Sequence, residues 1–175
     1  AAPAQIVPKG KLSNELIIEV RAQKYQQHNP VYRQQAVLAQ DQGIELSRKT
    51  LTDAILAAGS LLRPVVGAQK AELLAGGYVQ ADETTRPCQT EEKTGHNHRA
   101  YLWEYSVPGG GVVFDFQRGR GREGPARFLK GFRGTLQSDG DAAYAELGEA
   151  IVYAGGMSHA RRGFVVARTQ ECPVS

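Results

Sequence analysis

The chain has 175 residues, 41% of them hydrophobic, with 20 glycines, two cysteines and a formal charge of +3. That length suits one domain, or a small domain joined to a larger one, and the apolar fraction excludes global disorder. Cys88 and Cys172 make neither a disulfide framework nor a metal-ligand spacing, and no apolar run is long enough to span a bilayer.

Residues 1–10, broken by Pro3, Pro8 and Gly10, read as a linker without the charged-then-apolar layout of a signal peptide. A reduced, cytoplasmic setting is the expectation. The start without methionine suggests a piece of something longer. From Ser13, a candidate N-cap, Leu12, Leu16, Ile17 and Val20 fall at a helical period. Asn29-Pro30 opens a second helix, with proline at the first position and Val31, Val37 and Leu38 as its apolar face. Gly43 stops it, Ile44-Glu45-Leu46 turns the chain, and Ser47 caps a third helix carrying Leu51, Ile55 and Leu56. Helix, glycine-containing turn and capped helix outline a helix-turn-helix whose second helix opens on Arg48, Lys49 and Thr50, donors suited to phosphates and base edges. An ordinary helical hairpin has the same outline, and the residues leave both open. Pro64 breaks or kinks the pattern, and a helix over Val65–Leu74 ends at Gly76-Gly77. Residues 1–75 are thus expected to form an all-α, helix-turn-helix-like, DNA-binding region.

Residues 76–175 change period. A short strand, Tyr78 to Ala81, is expected to deliver Asp82 at its end, before a Thr-Thr-Arg-Pro loop. Ala100–Val107 and Val112–Phe116 flank Pro108-Gly109-Gly110-Gly111 and predict a hairpin. Gly124-Pro125 opens a helix through Leu129, and a fourth strand carries Leu136 to Asp139. Asp141–Leu147 reads as a helix, Ile151–Ala154 as a fifth strand, and His159-Ala160-Arg161-Arg162 as the start of the next helix. Three antiparallel strands feeding a parallel βαβα tail make an α/β, ribonuclease-H-like mixed sheet. In that arrangement the first and fourth strands are neighbours, so Asp82 and Asp139 would meet. Two carboxylates on adjacent strand ends can hold or bridge divalent cations for phosphoryl transfer. Aspartate before glycine is also an ordinary turn residue, and spacing alone does not choose between the two.

Arginines crowd two segments, Arg118 to Arg133 and Arg161 to Arg168, as suits a phosphate-bearing partner or a solvated loop. Gly119-Arg120-Gly121-Arg122-Glu123-Gly124 lacks the Lys-Ser/Thr ending of a P-loop and reads as a flexible loop near DNA. Gly95-His96-Asn97-His98 reads as an exposed loop, since two imidazoles on a loop make a poor metal site. Asp115 stands at a strand end, as a turn cap or a spare ligand. No serine has an elbow-like setting, which leaves a serine hydrolase unsupported.

Several stretches resemble the transposase family numbered sixty-six among bacterial insertion sequences. They include Pro30-Val31-Tyr32-Arg33-Gln34, Gly43-Ile44-Glu45-Leu46-Ser47-Arg48, Ala81-Asp82-Glu83-Thr84 and Val113-Phe114-Asp115. Pro125-Ala126-Arg127-Phe128-Leu129, Leu136-Gln137-Ser138-Asp139-Gly140 and His159-Ala160-Arg161-Arg162 continue the likeness, which runs in order from about Lys24 to Phe164. The resemblance implies a DDE transposase with a ribonuclease-H-like core, in which Asp82 and Asp139 are the first two acidic residues holding a pair of Mg²⁺ ions. It implies cleavage at transposon-end double-stranded DNA and transfer of the freed 3′-hydroxyl to target DNA by in-line displacement. Through it Arg120, Arg122, His159, Arg161 and Arg162 become candidate DNA contacts beside Arg48, Lys49 and Thr50. The intact family member is expected to act as a homo-oligomer. Where the family has cysteine and tryptophan before its last motif, this chain has Gly156 and Met157. The third acidic residue belongs on a helix beyond Phe164, where Glu171 is the remaining carboxylate and its surroundings do not resemble that helix. Val165–Ser175 therefore reads as an unrelated tail, and the chain as a truncated copy lacking its last helix. The alternative is a catalytically inactive DNA-binding remnant.

Overall fold

The computed structural model describes residues 4–8, 10–89, 97–139, 142–144, 147–156, 161 and 164–165. The chain divides into two compact units, Ala1–Val66 and Gly67–Ser175.

The first unit is helical. In α1, Asn14–Tyr25, the Ser13 side chain caps the first turn by accepting from the Leu16 N–H. Pro30 is the N-cap of α2, Val31–Gln42, one place earlier than expected, and Gly43 ends the helix in the left-handed region at φ 65°. Ser47 caps α3, Arg48–Leu61, accepting from the Thr50 N–H at 3.0 Å. Ile17, Val20, Leu38, Leu51, Ala54, Ile55 and Ala58 are buried. Val37 and Leu56, expected on the buried faces, are 43% and 63% exposed. At about 100° per residue, Val37 points roughly a quarter-turn away from the line of Val31, Gln34 and Leu38. Gln34 is buried instead, its side-chain amide donating to the Asn29 carbonyl at 2.8 Å.

α4, Arg63–Ala75, has Pro64 in its first turn, where no intrahelical N–H is lost. Its Leu73 packs into the core of the second unit. That unit is built on a five-stranded mixed sheet in the order β3-β2-β1-β4-β5. β1 is Tyr78–Cys88, β2 His98–Ser106, β3 Val112–Gln117, β4 Gly134–Ser138 and β5 Ile151–Gly155. The first three pair antiparallel, whereas β1 with β4 and β4 with β5 pair parallel. The expected adjacency of first and fourth strands is therefore present.

β1 runs to Cys88 rather than stopping at Ala81, so the expected Thr-Thr-Arg-Pro loop is strand. β2 supplies the reason, since the ladder continues to Cys88↔His98 while β4 accompanies β1 only as far as Gln80. Past Gln80 one side of β1 has no described strand partner, and there Pro87 is tolerated.

α5, Glu123–Phe128, and a 3₁₀ turn at Ala142–Tyr144 contribute to the core on one face of the sheet. Tyr105 stacks on Phe128 with ring centroids 3.7 Å apart, and Trp103 meets Tyr144 edge-on at 5.5 Å. The helix expected over Asp141–Leu147 is described only at that 3₁₀ turn. On the opposite face Phe114 and Phe116 are 55% and 51% exposed, and Val112 and Val152 are exposed with them. Gly134, at φ 145°, lets β4 start against β1: a Cβ there would overlap the Gly77 carbonyl, which accepts from the Thr135 N–H at 2.9 Å.

Candidate catalytic site

Strand alternation decides where each acidic side chain goes. Val79 and Ala81 are buried in the core, so Gln80 and Asp82 stand on the open face and Glu83 returns to the core side. Asp82 is exposed in mid-strand, not at a strand end, and its Oδ1 accepts the Glu83 N–H at 2.9 Å. The Gln80 side-chain amide donates to Gln137 Oε1 at 2.7 Å, and the Tyr78 hydroxyl donates to the same oxygen. These bonds reinforce the Gln80↔Gln137 register of β1 with β4. Two residues further along each segment stand Asp82 and Asp139, the latter half-buried and one residue past β4. The parallel register ends at Gln80↔Gln137, and the two aspartates follow it on neighbouring segments, Asp82 within β1 and Asp139 just past β4.

Sequence reasoning missed Glu83. Its side chain is 5% exposed, and Oε1 accepts from Arg120 Nε at 3.2 Å and Nη2 at 2.7 Å. Oε2 accepts from the Tyr144 hydroxyl at 3.2 Å. Burial, then the Glu83 charge, then Tyr105 and Asp139, hold the Tyr144 proton on well above the usual tyrosine range. Tyr105 is pushed the same way, by burial first and then by Asp115 and Glu83. The missed signal is the Asp-Glu pair itself, since neighbours in a strand face opposite ways and a strand ending at Ala81 hides the second.

Glu104 was missed as well. It pairs directly across from Asp82 on the open face, exposed. Asp115 is neither a turn cap nor beside Asp82. It lies within β3 on the core side, across from Trp103, accepting from Gln117 and 3.7 Å from Arg127.

Of the candidate DNA contacts, Arg48 is exposed, Lys49 is ion-paired with Asp53 at 2.5 Å, and the Thr50 hydroxyl bonds that of Ser47. Arg120 is held by Glu83, Arg122 is exposed just before α5, and Arg161 is helical and exposed. His159 and Arg162 lie outside the described residues, as do His96 and Glu171. His98 sits in β2 and bonds the Arg118 carbonyl at 2.6 Å. Among the described residues, no three His, Cys, Asp or Glu stand close enough to hold a metal ion together. No single described helix is long and apolar enough to cross a membrane.

The molecule is a mixed α/β protein with helices at its N-terminus and a five-stranded mixed sheet in which β1 and β4 run parallel. It belongs to the Transposase IS66 family, whose model matches residues 9–173. The match passes through the segment after Phe164, so that segment is not the unrelated tail expected from the motifs. Among similar proteins are the uncharacterized proteins y4qI and y4hP of Sinorhizobium fredii (strain NBRC 101917 / NGR234). They are 34% and 31% identical, each over 93% of this chain and over 33% and 31% of their own length. A third, y4jD of the same organism, is 29% identical over 94% of this chain and 35% of its own. The chain thus spans about a third of the length of the curated relatives it matches. No solved structure matches.

Proposed function

We propose that this chain carries part of the ribonuclease-H-like catalytic core of a DDE transposase acting on transposon-end and target DNA. The observation that carries the reading is the parallel β1–β4 register, with Asp82 and Asp139 two residues beyond Gln80 and Gln137. Strands antiparallel on one side of β1 and parallel on the other agree with that core. Carboxylate oxygens fit a hard divalent cation such as Mg²⁺. Asp82 and Asp139 would hold it, as two members of a larger ligand set. When bound, such ions supply charge neutralisation and nucleophile activation for in-line displacement at phosphorus. The Glu83 N–H orients one Asp82 oxygen, and exposure of Asp82 on the open face leaves its side of the sheet accessible to a DNA phosphate.

Arg48, Lys49, Thr50, Arg120, Arg122, His159, Arg161 and Arg162 are carried as phosphate contacts, with an intact homo-oligomer in the bacterial cytoplasm as the working setting. The Lys49–Asp53 pair is exposed, so little holds it against competition from a phosphate. In an intact relative, alanine at the positions of Asp82 or Asp139 should abolish strand cleavage while DNA binding persists. Cleavage surviving in both variants would refute the assignment.

A second reading is a DNA-binding piece without chemistry of its own, which the exposed cations Arg48 and Lys49 opening α3 favour. Gel-shift titration of this chain should then show binding that weakens steeply with salt. No shift at low salt would eliminate it.

A further inference from the structure

Glu83 is a buried carboxylate that the proposed chemistry does not use, and its surroundings are specific. One oxygen takes both Arg120 donors and the other takes the Tyr144 hydroxyl. Arg120 belongs to the loop between β3 and α5, and Tyr144 to the turn between β4 and β5, five residues beyond Asp139. The cross-strand partner of Glu83 is Trp103, against whose ring Tyr144 packs edge-on. A carboxylate out of water must keep its charged partner, so this three-way contact is costly to break. The backbone N–H of the same residue bonds Asp82 Oδ1.

We propose that Glu83 is a positioning residue, which with Arg120 and Tyr144 fixes the segment bearing Asp82 relative to the one leading from Asp139. The inference rests on the two-aspartate reading and extends it. Glu83 itself faces the core and is not a ligand. Arg120 serves foremost as its partner, so the loop arginines divide into one that holds the site and others that face solvent. The Tyr144 hydroxyl is the most informative member: its removal leaves the ring in place against Trp103 and deletes only the link to Glu83.

The test is a titration of this chain with Mn²⁺, a paramagnetic substitute suited to carboxylate oxygens, followed by broadening of individual amide signals. Broadening should centre on Asp82, Glu83, Ser138 and Asp139 and vanish in Asp82→Asn. In Tyr144→Phe it should need about tenfold more Mn²⁺, as expected when a group supporting a ligand is removed. Signals of α1 to α3 and the thermal midpoint serve as controls for folding. If Tyr144→Phe does not fold, Glu83→Gln and Arg120→Lys replace it with the same expectation. Broadening lost in Asp82→Asn but undiminished in the folded Tyr144, Glu83 and Arg120 variants would overturn the positioning role alone. Broadening absent from wild type, or indifferent to Asp82→Asn, would bring down the two-aspartate reading and this inference with it.

Discussion

On the face of the sheet turned toward α5, Trp103, Tyr105 and Tyr144 are fully buried around the carboxylate of Glu83. On the other face Asp82 and Glu104 lie opposite each other among exposed Phe114, Phe116 and Val112. The same three strands make both surfaces, and Asp82 and Glu83 are separated by a single peptide bond. What differs is the surroundings: one carboxylate is surrounded and paired, the other open to solvent and to whatever binds there. Chemistry requires the second condition, and holding it in place requires the first.

Substitutions on the two faces should separate this contrast, beginning with the most damaging. Trp103→Ala is expected to cost about 3–5 kcal/mol, since it empties a wholly buried site, whereas Phe114→Ala should cost under about 1 kcal/mol. Urea unfolding at constant m-value measures both, and equal losses would mean that the open face is packed in solution. Glu83→Ala should cost about 2 kcal/mol, below the range for a fully buried pair because Arg120 is half-exposed. Asp82→Asn should stay within about 0.5 kcal/mol of wild type in the same assay.

Alkaline pH gives a sharper comparison. Unfolded tyrosine titrates near pH 10, while Tyr105 and Tyr144 keep their protons above that in the folded chain. The unfolded state therefore loses protons first, so this contribution is intact below about pH 10 and falls above it. The loss should approach about 1.4 kcal/mol per pH unit for each tyrosine. Melting curves between neutral and strongly alkaline pH should show it, with a shallower fall in Tyr144→Phe. The smallest effect belongs to the open face: Glu104→Gln relieves repulsion with Asp82 and should gain about 0.2–1 kcal/mol. A loss there would mean that Glu104 has an attractive partner.

Much of this was legible in the residues. Ser13, Gly43 and Ser47 mark helix ends because capping is a local matter of one side chain or one φ angle. The adjacency of β1 and β4 followed from the order of the elements. The length of β1 did not, because polar Thr84 to Cys88 become strand only where β2 supplies partners. Misreading that length hid Glu83, whose role depends on which face it takes.

By itself, then, the sequence determined the caps of the first three helices, the adjacency of β1 and β4 and the family, all of which rest on neighbours along the chain or on a linear pattern. Tertiary structure alone decided that Glu83 meets Arg120 and Tyr144, 37 and 61 residues away, and that Glu104 faces Asp82. Those contacts depend on how distant segments fold back on one sheet, and no local preference encodes which distant partner arrives.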